Sequence, residues 1–100
     1  MPFDQFVPRS FSPGDVQAYA PKTSGVYGIS SAREWIYIGV TENINDSLVG
    51  HLQELGTQLM NLKPTGFVFE ICDGSRRLSR QDRLVSEYEP ICNRRLVPKS

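Results

Sequence analysis

The hydrophobic pattern changes period along the chain, and each change marks an element. From Gly25 to Ser30 (Gly-Val-Tyr-Gly-Ile-Ser) and from Trp35 to Val40 (Trp-Ile-Tyr-Ile-Gly-Val) the runs are short, apolar and β-prone, with a polar turn between them. A hairpin is expected. Alternation sets Val26, Gly28 and Ser30 on one face against Tyr27 and Ile29, then Ile36 and Ile38 against Trp35, Tyr37 and Gly39. After an Asn-rich corner from Thr41 to Asp46, the period lengthens. Leu48, Leu52, Leu55 and Leu59 recur at offsets of three and four, which predicts a helix to Met60 capped by Asn45 or Asp46. Gly50 inside it costs about 1 kcal/mol of helix propensity relative to alanine and is expected to mark a close approach.

The flanking segments complete one unit. Ser12-Pro13-Gly14-Asp15 opens a one-turn helix through Tyr19 that Pro21 closes, so residues 1–24 read as a strap across the core. Asn61 to Gly66 is a loop, Phe67 to Cys72 a third strand, and Asp73-Gly74-Ser75 a turn. Ser79 with Asp82 three residues later resembles a capping box opening a helix with Leu84, Val85 and Tyr88, which Pro90 stops. Ile91 to Val97 is an apolar coda beside the sheet, and residues 98–100 form a frayed tail. The expected fold is α/β (α+β), a small three-stranded antiparallel sheet flanked by helices, with a single domain over residues 25–97.

Composition narrows the function classes. A chain of 100 residues with 39% hydrophobic and 22% charged positions supports one core rather than disorder. Eleven basic and eleven acidic residues leave a formal net charge of zero, so no overall field draws in a polyanion. The charge is uneven, however, and six arginines fall between Arg76 and Arg95. Arg76, Arg77, Arg80 and Arg83 form either a solvated face compensated by Asp82 and Glu87 or a surface for an anion or partner. Cys72 and Cys92 lack a CxxC spacing and read as free thiols, and His51 is the only histidine, too few ligands for zinc. No apolar run approaches a membrane span of ~20 residues and no signal-peptide pattern opens the chain, so a cytoplasmic location and no membrane partner are expected.

The motifs point further. Gly25-Val26-Tyr27 and Tyr37-Ile38-Gly39, ten residues apart from tyrosine to tyrosine, are followed by Thr41-x-Asn43-Ile44, Leu48 and His51, then Leu84-Val85 and Pro90-x-x-Asn93. Together they resemble the signature of the GIY-YIG nuclease domain from Gly25 to Asn93. The resemblance implies DNA phosphodiester hydrolysis with one divalent metal. Its site would combine tyrosines from the two signature strands, an arginine on the first long helix and a metal-binding glutamate on a later one. Tyr27 and Tyr37 stand at the tyrosine positions, and His51 and Asn93 at further site positions. The arginine position holds Ser47, which has no charge and no bidentate fork for phosphate. The glutamate position holds Gln81, whose neutral amide is a poor Mg²⁺ ligand.

Each remnant also has an ordinary role: cross-strand packing for Tyr27 and Tyr37, a polar helix edge for His51, backbone bonding for Asn93 and hairpin packing for Trp35. The function expected is therefore a catalytically inactive GIY-YIG-like domain, a binding or structural module facing a protein partner, a second copy or an acidic ligand. One alternative is a Mg²⁺- or Mn²⁺-dependent DNA endonuclease with a site rebuilt from Tyr27, Tyr37, His51, Asn93 and a relocated arginine, with Arg80 beside Gln81. Another is a non-cleaving DNA-binding subunit, against which Glu42 and Asp46 make the approach more acidic.

Overall fold

The computed structural model describes residues 9–32, 34–53 and 63–91. The elements in order are β1 (Arg9–Ser10), α1 (Pro13–Tyr19), β2 (Gly25–Ser30), β3 (Trp35–Thr41), α2 (Ile44–Gln53), β4 (Gly66–Ile71) and, called α3 here, Arg77–Tyr88. The strands form one antiparallel sheet in the order β1-β4-β2-β3. Three of its strands are those expected. The fourth, β1, pairs Arg9 with Phe67 and Ser10 with Gly66, and two residues are too few to show a period in the sequence.

Two apolar clusters sandwich the sheet. On one side α1 and α2 bring Val16, Ala20, Ile44 and Leu48 onto Tyr27, Ile29, Ile36 and Phe67. On the other, Leu84 of α3 buries itself among Val26, Ile38 and Val68. Adjacent strand residues therefore serve opposite layers, as the period of two requires.

One residue breaks that period. Ile29 pairs with Tyr37 but Ser30 pairs with Trp35, so Ile36 is an extra residue in β3. This corrects the expected faces. Ile36 joins the α1–α2 cluster while Ile38 faces α3, and Trp35 lies on the α3 side with its ring 4.5 Å from that of Tyr88. Tyr37, beyond the bulge, stays on the same side as Tyr27 and Ile29.

The helix ends follow local chemistry. Ser12 caps α1 by accepting the Asp15 N–H at 3.3 Å, and Pro13 occupies a first-turn position whose N–H would be unused. The α2 cap is Asn43, not Asn45 or Asp46: its side-chain Oδ1 accepts the Asp46 N–H at 3.0 Å. Asn45 lies inside the helix, 4% exposed, and its amide donates to the carbonyls of Val16 at 3.2 Å and Ala20 at 3.0 Å. The end of α1 is thereby fixed to the start of α2. Among the described residues Gly50 marks no close approach, because a Cβ built there meets none of their atoms within 4 Å. The stretch around Leu55 and Leu59 lies outside the described residues.

Helix α3 starts at Arg77, two residues before the expected Ser79. No side chain caps it, and Ser79 instead donates back to the Arg76 carbonyl at 3.4 Å. Its other end matches expectation, with Glu89 in the left-handed region at φ 49° and buried Pro90 behind it. Among the described residues, no helix is long and apolar enough to cross a membrane.

Candidate functional site

The two signature tyrosines lie on neighbouring strands and point to the same side, towards α2. Tyr27 is 4% exposed, and its hydroxyl sits 2.8 Å from Nε2 of His51. The three rings form a closed group, with centroids 6.0 Å apart for Tyr27 and Tyr37 and 5.7 Å for each tyrosine with His51. Glycine makes room for them. Gly39 is the cross-strand partner of Tyr27, and a Cβ on it would fall 2.7 Å from Cε2 of Tyr37 and 2.8 Å from the Tyr27 hydroxyl oxygen. The last residue of Tyr37-Ile38-Gly39 is thus required by the rings on either side of it.

One helical turn before His51, Ser47 donates its hydroxyl to Oγ1 of Thr41 at 2.6 Å. Thr41 is the hub of the corner: its Oγ1 accepts the Asn43 N–H at 3.0 Å and donates to the Asn43 carbonyl at 3.1 Å. The hydroxyl at the arginine position is therefore used to brace the entry to α2.

Gln81 is used in a comparable way from the other layer. Its Nε2 donates to the Ile38 carbonyl at 3.1 Å, and one turn earlier Arg77 donates Nη1 to the Thr41 carbonyl at 2.9 Å. With Tyr88 on Trp35, the Arg77, Gln81, Leu84, Tyr88 stripe of α3 follows β3 from its end to its start. A carboxylate at position 81 would present no donor to that carbonyl at neutral pH.

The four arginines of the expected binding surface differ in exposure and in partners. Arg76 and Arg83 are exposed, whereas Arg77 and Arg80 are half-buried. Arg80 holds Glu70 of β4 in a two-pronged ion pair, Nε to Oε2 at 2.5 Å and Nη2 to Oε1 at 2.7 Å. Its fork is matched by a carboxylate on β4. Asn93 lies outside the described residues, as does Cys92.

Beside this pair, burial raises the pKa of Cys72, and the charges of Glu70 and Asp73 add to the shift while Arg76 and Arg77 oppose it. Glu70 escaped the sequence reading altogether, and Thr41, Asn45 and Arg77, which it named, have roles that it did not give them. Thr41 alone carried a signal, since Thr-x-Asn before an apolar run is a recognisable turn. The partners of the others lie 10 to 36 positions away, beyond any local pattern.

The donors at the expected site are two phenols, an imidazole and a neutral amide. Mg²⁺ favours carboxylate oxygens, so these residues do not fit that ion. Among the described residues, no group of three His, Cys, Asp or Glu side chains is placed to hold a metal.

No protein-family model matches the chain, and no curated protein matches it. Solved structures do. The magnesium-bound GIY-YIG N-terminal endonuclease domain of UvrC from Thermotoga maritima is 17% identical, with a TM-score of 0.65 over 80% of this chain and 97% of that one. An asparagine-to-alanine mutant of the same domain, bound to its catalytic divalent cation, is 16% identical with a TM-score of 0.66 over 80% and 96%. At such identities the likeness concerns the fold, which is that of a GIY-YIG endonuclease domain.

Proposed function

We propose that this chain is a catalytically silent member of the GIY-YIG family that acts as a binding or structural module. One observation carries the proposal: Ser47 and Gln81, at the positions of the expected arginine and glutamate, both spend their polar groups on β3. In a nuclease those positions supply positive charge for the phosphate and a carboxylate for the metal, the largest electrostatic contributions to phosphoryl transfer. Here they supply a hydroxyl and an amide. The Tyr27, Tyr37 and His51 group then works as packing that joins sheet to helix, with the Tyr27 hydroxyl bonded to His51 within it.

The test is cleavage of labelled branched, single-stranded and duplex DNA with Mg²⁺ or Mn²⁺. The expected result is intact substrate under all conditions. Metal-dependent cleavage that disappears in Tyr37→Phe would overturn the proposal and favour a rebuilt endonuclease. The partner expected for such a module is another protein or a second copy, read out by light scattering and cross-linking on the intact chain.

A further inference from the structure

Helix α3 is charged against its own dipole. A helix carries partial positive charge at its N-terminus and partial negative charge at its C-terminus. The first turns of α1 and α2 meet this with Asp15 and Asp46, and Ser12 and Asn43 cap them. In α3 the signs are reversed. Arg76, Arg77 and Arg80 crowd its start, with no acidic residue in the first turn and no side-chain cap, while Glu87 and Glu89 stand at its end with no basic residue in the last turn. Glu89 also closes the helix at φ 49°, a conformation that favours glycine. A helix of twelve residues is marginal in water even with favourable ends, so α3 depends on what it packs against.

That packing is thin. Of its twelve residues, all of them described, only Leu84 is fully buried. Arg77, Arg80 and Gln81 are half-buried and reach the sheet through polar groups, to Thr41, Glu70 and Ile38, and Tyr88 reaches it through its ring on Trp35. Polar contacts of this kind are replaced by water on release, so each holds the helix less firmly than its geometry suggests. The opposite layer is better anchored, with Val16 of α1 and Ile44, Asn45 and Leu48 of α2 buried. Among the described residues, no α3 side chain belongs to that layer's apolar cluster. We infer that α3 is a conditional helix, which leaves the sheet and melts in one step while β2, β3, β4, α1 and α2 keep their fold. The Asp73–Arg76 turn is the hinge. Release uncovers Val26, Ile38 and Val68, which are fully buried while α3 is docked. The inference goes beyond the binding-module reading and does not depend on catalytic silence.

The test is native-state hydrogen exchange on the intact chain, followed residue by residue in low urea, where exchange reports the opening equilibrium. The amides of Gln81 to Tyr88 are expected to exchange together, about tenfold or more faster than those of Val26 to Ile29 and Leu48. Their urea dependence should lie between zero and that of the core amides, as partial exposure of surface requires. Two substitutions separate release from global unfolding. Asn45→Ala, which loosens α1 from α2, should speed the core amides about fivefold or more and leave the α3 amides unchanged. Arg76→Asp, which supplies an acceptor and a favourable charge at the helix start, should slow the α3 amides about threefold or more. Equal protection of α3 and the core, or parallel acceleration of both by Asn45→Ala, would show a single cooperative unit and overturn the inference. Exchange of α3 that ignores urea and Arg76→Asp would overturn it as well, because fraying residue by residue is not release of a helix.

Discussion

Gln81→Glu is the most informative substitution, because it places a carboxyl where the family resemblance implies one while changing one group at a strand edge. The amide now donates to the Ile38 carbonyl at 3.1 Å from a half-buried position. Replacing it with a carboxylate removes a hydrogen bond worth about 1 kcal/mol and sets two acceptors against each other, for a total cost of about 1–3 kcal/mol at pH 7. At about 4–8 °C per kcal/mol for a domain of this size, Tm should fall by roughly 4–24 °C. The sign of the pH dependence follows. The neutral acid can donate to Ile38 and the anion cannot, so the pKa of the new carboxyl is raised in the folded state. The cost relative to wild type is therefore smallest below the ordinary carboxyl pKa and grows as pH rises through the folded one. Thermal unfolding followed by circular dichroism from pH 3.5 to 8 measures this, with Gln81→Met as the uncharged control whose cost stays flat with pH. Equal stability of Gln81→Glu and wild type at pH 7, or a cost that Mg²⁺ removes, would refute the view that position 81 serves the strand rather than a metal.

Gly50→Ala should stabilise the chain by about 0.5–1 kcal/mol, measured by urea denaturation, since the added methyl enters open space and the helix gains propensity. Asn45→Ala leaves the Val16 and Ala20 carbonyls without their amide donor and should cost about 1–3 kcal/mol in the same assay. In a Cys92→Ser background, the pH profile of iodoacetamide reaction at Cys72 should be displaced above that of an ordinary thiol, because burial and the Glu70 and Asp73 charges disfavour the thiolate. An unshifted or acid-shifted profile would contradict that environment.

The hairpin β2–β3 was legible to the residue at its start because short β-branched and aromatic runs bounded by turns have one natural reading. What pattern could not show was Ile36. A bulge moves one residue across the sheet without changing composition, so Trp35 and Ile36 exchanged sides. The start of α3 was misplaced for a different reason. Ser79 and Asp82 offered a local cap, but the long-range Arg77 bond to Thr41 falls two residues earlier, where the helix begins. Local propensity lost to tertiary contact. At the candidate site, the resemblance assigned Tyr27 and Tyr37 to tyrosine positions and put Ser47 and Gln81 where it implies an arginine and a glutamate. What Ser47 and Gln81 do instead was not readable, because each finds its partner across a corner or from another layer.

The docking of α3 along β3 also sets how this molecule can meet another. Among the described strands β3 is a terminal one, the kind of border on which a foreign strand can extend the ladder. The Gln81 amide occupies one carbonyl of that border and Arg77 another at its end. Growth of the sheet on this side therefore requires α3 to lift away first. Self-assembly by strand addition there is gated by a local opening reaction, and substitutions that loosen α3 should shorten the lag before aggregation even where global stability changes little.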